Sequence, residues 1–241
     1  TIRNILSDKK PFTMRAGGTS IGGQAIGSGM LVDISKYLNN IVDFFEDRKE
    51  IIVEPGVIQD DLNSFLQSYN LKFAPDTSTS NRAMIGGMIG NNSCGSYSIF
   101  YGTTRDHVKS IEVILSDGSL VEFKELTEKE LDNKLSMQNL EGDIYRFVIN
   151  LLNNNQQEIL DSFPDESLIR RNTGYALDEL IRKYKPFNKD GKCFNLASLV
   201  CGSEGTLGVI VSATLNLVNL PKYKELIVAH FSSDEQSLNL V

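Results

Sequence analysis

With 241 residues, 41% hydrophobic and 23% charged, the chain can bury a substantial core and has an ordinary globular balance, which excludes a disordered or fibrous polypeptide. A formal net charge of −7 argues against general binding to nucleic acid or to anionic membranes, both of which favour basic surfaces. Three cysteines without C-x-x-C spacing and only two histidines point away from a disulfide framework or a metal site and towards a reducing compartment.

The chain starts at Thr1, and Ile2, Ile5 and Leu6 are spaced like the last turns of an amphipathic helix. Phe12 to Ala16 predicts a short strand that runs into the glycine-rich segment Gly17 to Gly29. Met30 to Ile34 and Glu50 to Val53 are further strand candidates, the second ending at the turn Pro55-Gly56. Leu62, Phe65, Leu66 and Tyr69 then mark one helical face, with Asp60 and Asp61 near its positive end.

From Ile111 the period changes to two: Ile111, Val113 and Leu115 alternate with Glu112, Ile114 and Ser116. Asp117-Gly118 is a turn signal, and Leu120 to Phe123 reads as the partner strand. A helix-rich stretch follows from Thr127 to Lys185, with Ile144, Phe147, Val148, Leu151 and Leu152 as its apolar stripe and a helix over Leu177 to Tyr184. Val209 to Val218 and Glu225 to Phe231 read as strands, and Leu220-Pro221 between them as a domain boundary. Ser232, Ser233 and Asp234 announce a helix N-cap, with Glu235 in the first turn. Both ends therefore read as cut from a longer polypeptide, and no apolar run reaches the roughly 18–20 residues that span a bilayer.

Three glycine clusters carry the functional signal: Arg15 to Gly23, Ile85 to Gly95 and Gly202 to Gly208. Glycine lets a ligand approach the main chain, successive peptide N–H groups converge on an anion, and serine and threonine hydroxyls add donors without bulk. Each cluster alone reads as well as a turn; three together suggest one extended anionic ligand gripped along its length. There is no G-x-x-x-x-G-K-[ST] and no strand–G-x-G-x-x-G–helix. Gly18-Thr19-Ser20-Ile21-Gly22 satisfies G-x-S-x-G, but a nucleophile elbow needs a helix directly after the serine, and more glycines follow instead.

In these motifs the sequence resembles the FAD-binding domain (PCMH type) of the vanillyl-alcohol oxidase superfamily, in the branch of D-lactate dehydrogenase, glycolate oxidase and D-2-hydroxyglutarate dehydrogenase. The resemblance runs from about Phe12 to Leu220. Arg15-Ala16-Gly17-Gly18-Thr19-Ser20 is similar to the family's R-G-G-G-T-S pyrophosphate loop, with Ala16 in place of the first glycine. Pro75, Asp76, Thr77 and Ser78, then Gly86, Gly87, Asn91, Asn92, Ser93 and Gly95 within Ile85 to Gly95, resemble the second FAD-contacting stretch. Tyr101 to Val108 is similar to the segment that leads into the central hairpin. Glu204, Gly205, Thr206, Leu207, Gly208 and Ile210 lie in a match to the last FAD-binding motif, near adenine and ribose. Asn172 to Leu177 resembles the N-x-x-G-Y-x-L motif, but a longer lysine-rich connection, Arg182 to Asn195, follows it, as in the large fused members.

The resemblance implies an α+β fold: a small parallel-sheet subdomain and a larger, mainly antiparallel sheet flanked by helices, with FAD between them. It places the FAD-binding domain at residues 1–220 and the start of a substrate or cap domain at 221–241. Thr19 stands where covalently flavinylated relatives carry histidine, so FAD is expected to be non-covalent. The implied activity is oxidation of a small D-2-hydroxy acid, the hydroxyl proton going to a base and a hydride to flavin N5. The implied acceptor is a quinone, a cytochrome, a flavoprotein or O2. A [4Fe–4S] cluster belongs to the fused members, and the implied location is the cytoplasm, including the inner face of the membrane. Nucleic acid is not an expected partner. The cap carries the family's catalytic histidine, so this chain is expected to bind FAD weakly and not to turn over.

Among single residues, His107, Asn172 and Tyr175 are the candidates for catalysis. His107 reads as structural because its motif leads into a strand, whereas Asn172 and Tyr175 read equally as flavin-facing groups or as a capped turn. Cys94 reads as a small packing residue, Arg15 as a pyrophosphate counter-charge or a surface arginine, and Arg170 and Arg171 as substrate contacts or a solvated face. Two alternatives stand: a flavin reductase of cell-wall synthesis on the same fold, opposed by the segments at Pro75 to Thr79 and Tyr101 to His107, and a non-catalytic flavin module of an electron-transfer assembly.

Overall fold

A computed structural model describes residues 2–7, 10–168, 171, 174–223 and 225–240. The chain opens with helix α1 (Ile2–Ser7), whose Ile5 is buried as the 2, 5, 6 spacing requires. Strands β1 (Phe12–Arg15) and β2 (Met30–Asp33) pair in parallel, Phe12 opposite Met30 and Arg15 opposite Asp33. Parallel neighbours need a crossover, and here the glycine-rich residues 16–29 supply it in place of the usual helix. That loop thus stands free at the end of a two-stranded sheet, which is what a ligand-wrapping segment requires.

The larger sheet has five strands in the order β3-β4-β8-β6-β7, every adjacent pair antiparallel. They are β3 (Ile41–Phe45), β4 (Glu50–Val53), β6 (Val108–Ile114), β7 (Leu120–Phe123) and β8 (Val209–Asn216). Alternation places Ile111, Val113 and Leu115 in the core, and Asp117-Gly118 turns the chain into β7. A two-residue pair, β5 (Leu71–Lys72) with β9 (Val218–Asn219), ties the end of α2 (Gln59–Gln67) to the strand after β8. The fold is therefore α+β, with a small parallel and a larger antiparallel sheet.

Helices cover the sheet: α3 (Ile85–Asn91), α4 (Ser98–Tyr101), α5 (Glu128–Ser136), α6 (Leu140–Ser162), α7 (Leu177–Lys183) and α8 (Ala197–Val200). One core joins Ile51, Leu62, Ile89, Ile111, Leu152 and Leu215 from six elements. The stripe expected on α6 is rotated. Val148 and Leu152 are buried, but Phe147 is 67% exposed and Tyr145 is fully buried in its place. At 3.6 residues per turn, 147 lies about 200° around the axis from 145, so the two cannot share a face. Asn155 bends the helix by donating to the Leu151 carbonyl at 2.8 Å.

The strand expected over Glu225 to Phe231 does not form. Among its described residues there is no ladder partner, and Leu226, Ile227 and Val228 are 89%, 85% and 68% exposed. β-branched composition alone does not make a strand, because the backbone donors and acceptors must find a neighbour. After it, Ser233 caps helix α9 (Asp234–Leu238) by accepting from the Gln236 N–H, as its sequence announces. Among the described residues no helix is long and apolar enough to cross a membrane.

Candidate functional site

The three glycine clusters meet in one cleft of about 550 Å3, within the range of small-molecule sites. From the first come Ala16, Gly17, Gly18, Thr19 and Ser20, at the end of β1. From the second come Gly86, Gly87, Asn91 and Ser93, on and just after α3, with Thr77 from the loop before it. From the third come Glu204, Gly205, Gly208 and Ile210, where the chain enters β8.

Close backbone approach explains the glycines. A Cβ on Gly17 would lie 2.3 Å from the Arg82 carbonyl oxygen, so only glycine lets the first loop lie against residues 82–87. Gly18 has φ of 62° and lies over the Arg15 guanidinium. Arg15 is thus behind the loop, not in the cleft, and faces Asp33 across the small sheet. The Ser35 hydroxyl and N–H, helped by Arg15, hold the Asp33 carboxyl below its usual range.

The lining is short of internal partners. Among the described residues, no acceptor takes the peptide N–H of Gly17, Gly18, Thr19 or Ser20, and the hydroxyls of Thr19, Ser20, Ser78 and Thr79 make no hydrogen bond. Among the described residues no lysine or arginine lines the cleft, and the attraction these residues offer an anion comes from peptide and hydroxyl dipoles. Met14, Ile34, Ala83, Met84 and Met88 add apolar wall.

Several expected residues brace the cleft without lining it. Asp76 accepts from the Tyr97 N–H at 3.1 Å and the Ser96 hydroxyl at 3.2 Å, and Gly95 leaves room for its carboxylate. Asn92 is buried with a left-handed backbone at the end of α3, and its side-chain oxygen accepts from the Arg105 N–H at 2.9 Å. The Pro75 carbonyl accepts from the Gln59 amide. Thr206 donates to the Ser203 carbonyl at 2.6 Å and meets the Tyr175 hydroxyl at 2.5 Å; Leu207 stands half-exposed beside it.

Of the catalytic candidates, the two described ones, His107 and Tyr175, lie apart from the cleft lining. His107 is buried outside the cleft, edge-on to Phe73, with Nε2 at 2.8 Å from the Tyr101 carbonyl. Tyr175 lies at the Thr206 turn, and Asn172 falls outside the described residues, as does Arg170. Arg171 is not on a solvated face: it pairs with Asp178 and, at 2.7 Å, with Glu179, both on α7 and buried. A side chain this committed to carboxylates is unavailable to an acidic substrate. Cys94 lines the cleft and is partly exposed. Ser78, the last residue of the Pro75 to Ser78 stretch, lines the cleft, as do Gln24 and Thr79, which sequence reasoning did not single out; their only signal was a polar residue among small ones.

A family model described as "FAD binding domain" matches residues 1–124. The chain belongs to the FAD binding domain family. It is 38% identical over 228 residues to D-2-hydroxyglutarate dehydrogenase of Escherichia coli (strain K12), a match that covers 94% of this chain and 22% of that protein. It is 26% identical to the glycolate oxidase subunit GlcD of Bacillus subtilis (strain 168), over 100% of this chain and 39% of that protein. To the mitochondrial D-lactate dehydrogenase [cytochrome] 1 of Saccharomyces cerevisiae identity is again 26%, over 92% and 28%. Among solved structures, an alkyldihydroxyacetonephosphate synthase superposes with a TM-score of 0.58 at 14% identity, over 92% of this chain and 32% of that one, which shows the shared fold. The chain spans about a fifth of the length of the D-2-hydroxyglutarate dehydrogenases it matches. FAD fits the cleft as built: peptide donors and hydroxyls that have no partner among the described residues suit a pyrophosphate, and the apolar wall suits a ring system.

Proposed function

We propose that this chain is the FAD-holding part of a dehydrogenase for D-2-hydroxy acids of the 2-hydroxyglutarate, lactate or glycolate type. The observation that carries the reading is the convergence of the three glycine clusters on one cleft with unpartnered peptide donors. Bound non-covalently, FAD supplies the hydride acceptor. The peptide groups of Gly17 to Ser20 and the hydroxyls of Ser78 and Thr79 would hold its pyrophosphate, and Gly86, Gly87 and the methionines would offer a close apolar wall to its ring system. Arg15, Asp76, Asn92 and Thr206 act from behind the lining, by fixing the loops that make it.

The base and the groups that read the substrate carboxylate belong to the part of the protein beyond this fifth, with residues 221 onward as its beginning. An acceptor outside this chain would take the electrons from the reduced cofactor. The lysine-rich connection at 182–195 and the length of the D-2-hydroxyglutarate dehydrogenase relatives favour the fused form, in which a [4Fe–4S] half would be that acceptor. The test uses the intact protein. Denaturation should release FAD, and anaerobic D-2-hydroxyglutarate, D-lactate or glycolate should bleach the flavin band near roughly 450 nm. Absence of FAD sinks the reading; FAD that none of these acids reduces sinks the substrate class.

A further inference from the structure

Glu204 is held at φ of 51°, between Gly202 at 95° and Gly205 at 76°. The other left-handed positions of this turn are glycine, as sterics prefer, yet position 204 keeps a long side chain. A strained residue at a ligand cleft invites a functional reason. The Glu204 carboxylate accepts from the Asn91 amide at 2.8 Å and from the Gln24 amide at 3.4 Å. All three residues line the cleft, and each comes from a different glycine cluster or its edge. The turn itself is docked on α3, Gly202 and Glu204 donating their N–H groups to the Ile89 and Gly90 carbonyls, both at 2.9 Å.

The first loop has little else to hold it. Among the described residues, the Gln24–Glu204 contact is the one hydrogen bond between residues 17–28 and any other segment. Ile21 and Ile26, at 102% and 70% exposed, add no packing. We propose that Glu204 is a positioning residue, a clasp that closes the first glycine loop over the cleft through Gln24 and, with Asn91 as its fixed end, sets how fast FAD leaves. The inference rests on the FAD reading above.

The test is the release of FAD from the intact flavoprotein, followed by the rise in FAD fluorescence after dilution into a trap. Glu204→Ala and Gln24→Ala should each speed release by about tenfold, the scale of one hydrogen bond to a charged group. The double variant should be no faster than Glu204→Ala, because both changes break the same contact. Glu204→Gln, which keeps an acceptor oxygen, should restore most of the retention. Glu204→Gly relieves the backbone, so the apoprotein's melting temperature should not fall although release is still fast; a merely structural glutamate would lower it. Multiplying effects in the double variant would mean that Glu204 acts on the nucleotide without Gln24 and would overturn the clasp. So would unchanged release in Gln24→Ala. A wild-type protein that contains no FAD would overturn the functional reading as well.

Discussion

Arg105 donates through its Nε to the Ser198 carbonyl at 2.9 Å, and the same guanidinium reaches the Cys201 carbonyl. This two-pronged contact ties the segment that enters β6 to the root of the third glycine cluster, while the Arg105 N–H holds Asn92 at the end of α3. Lysine keeps the charge but not the fork. Arg105→Lys should therefore cost about 1–3 kcal/mol of stability in urea denaturation and weaken FAD binding with it. An unchanged denaturation midpoint would show that the fork is incidental.

Gly17→Ala should separate cofactor binding from folding. The new methyl meets the Arg82 carbonyl at 2.3 Å, a distance no Cβ tolerates, so the loop or residues 82–87 must move. Because the loop is solvent-facing, a shift relieves the clash for roughly 1–3 kcal/mol without disturbing the main sheet. The expected result is a chain with native circular dichroism and FAD affinity weakened at least about tenfold. Native affinity would show that this close approach is not needed for binding.

On α6, Tyr145→Ala should cost roughly 3–5 kcal/mol, the usual toll of emptying a buried aromatic site. Phe147→Ser, at a position two-thirds exposed, should stay within about 0.5 kcal/mol. Equal losses in chemical denaturation would put the helix in the other rotation.

The Tyr145–Phe147 exchange also shows where sequence reading stops. The strands β1, β2, β4, β6, β7 and β8 and the helix α2 were legible because period, turn residues and apolar runs are local properties. β3 was not, since its edge position leaves Val42 57% exposed and blurs the alternation. The three clusters that form the cleft were legible as clusters. Their division into lining and bracing residues was not, because it depends on contacts across the fold: Gln24 meets Glu204 from 180 positions away, and Asp76 turns from the cleft to hold residues 96–97. The ion pairs of Arg171 were not legible for the same reason, since only the fold puts two carboxylates of α7 beside it.

Removing that arginine should be costly. Arg171, with Arg182 and Lys183, offsets Asp178 and Glu179, and Asp178 is 1% exposed. Arg171→Met leaves the two acids with only part of their compensation. A loss of about 3–5 kcal/mol is expected, as for other buried pairs broken on one side. A loss under about 1 kcal/mol in urea denaturation would mean that Arg182 and Lys183 suffice.

Asp106 provides a pH signature. Burial works to raise its pKa, but the Thr103 N–H at 2.8 Å, the Lys183 ammonium and the Thr103 hydroxyl at 3.0 Å outweigh it and hold the carboxyl below its ordinary 3.8. A depressed carboxyl stabilises the fold at pH values above its unfolded pKa, and that contribution is lost as pH falls through the folded one. Asp106→Asn removes the charged half of the capping box that starts the turn at Thr103, at a cost of about 1 kcal/mol near neutral pH. The difference between wild type and variant should shrink as pH falls below about 4, where the unfolded carboxyl starts to take up its proton, and on through the lower pKa of the folded one. Urea midpoints recorded from pH 7 to pH 3 read this directly. A gap that stays constant across the range would mean that Asp106 acts through its shape and not through its charge.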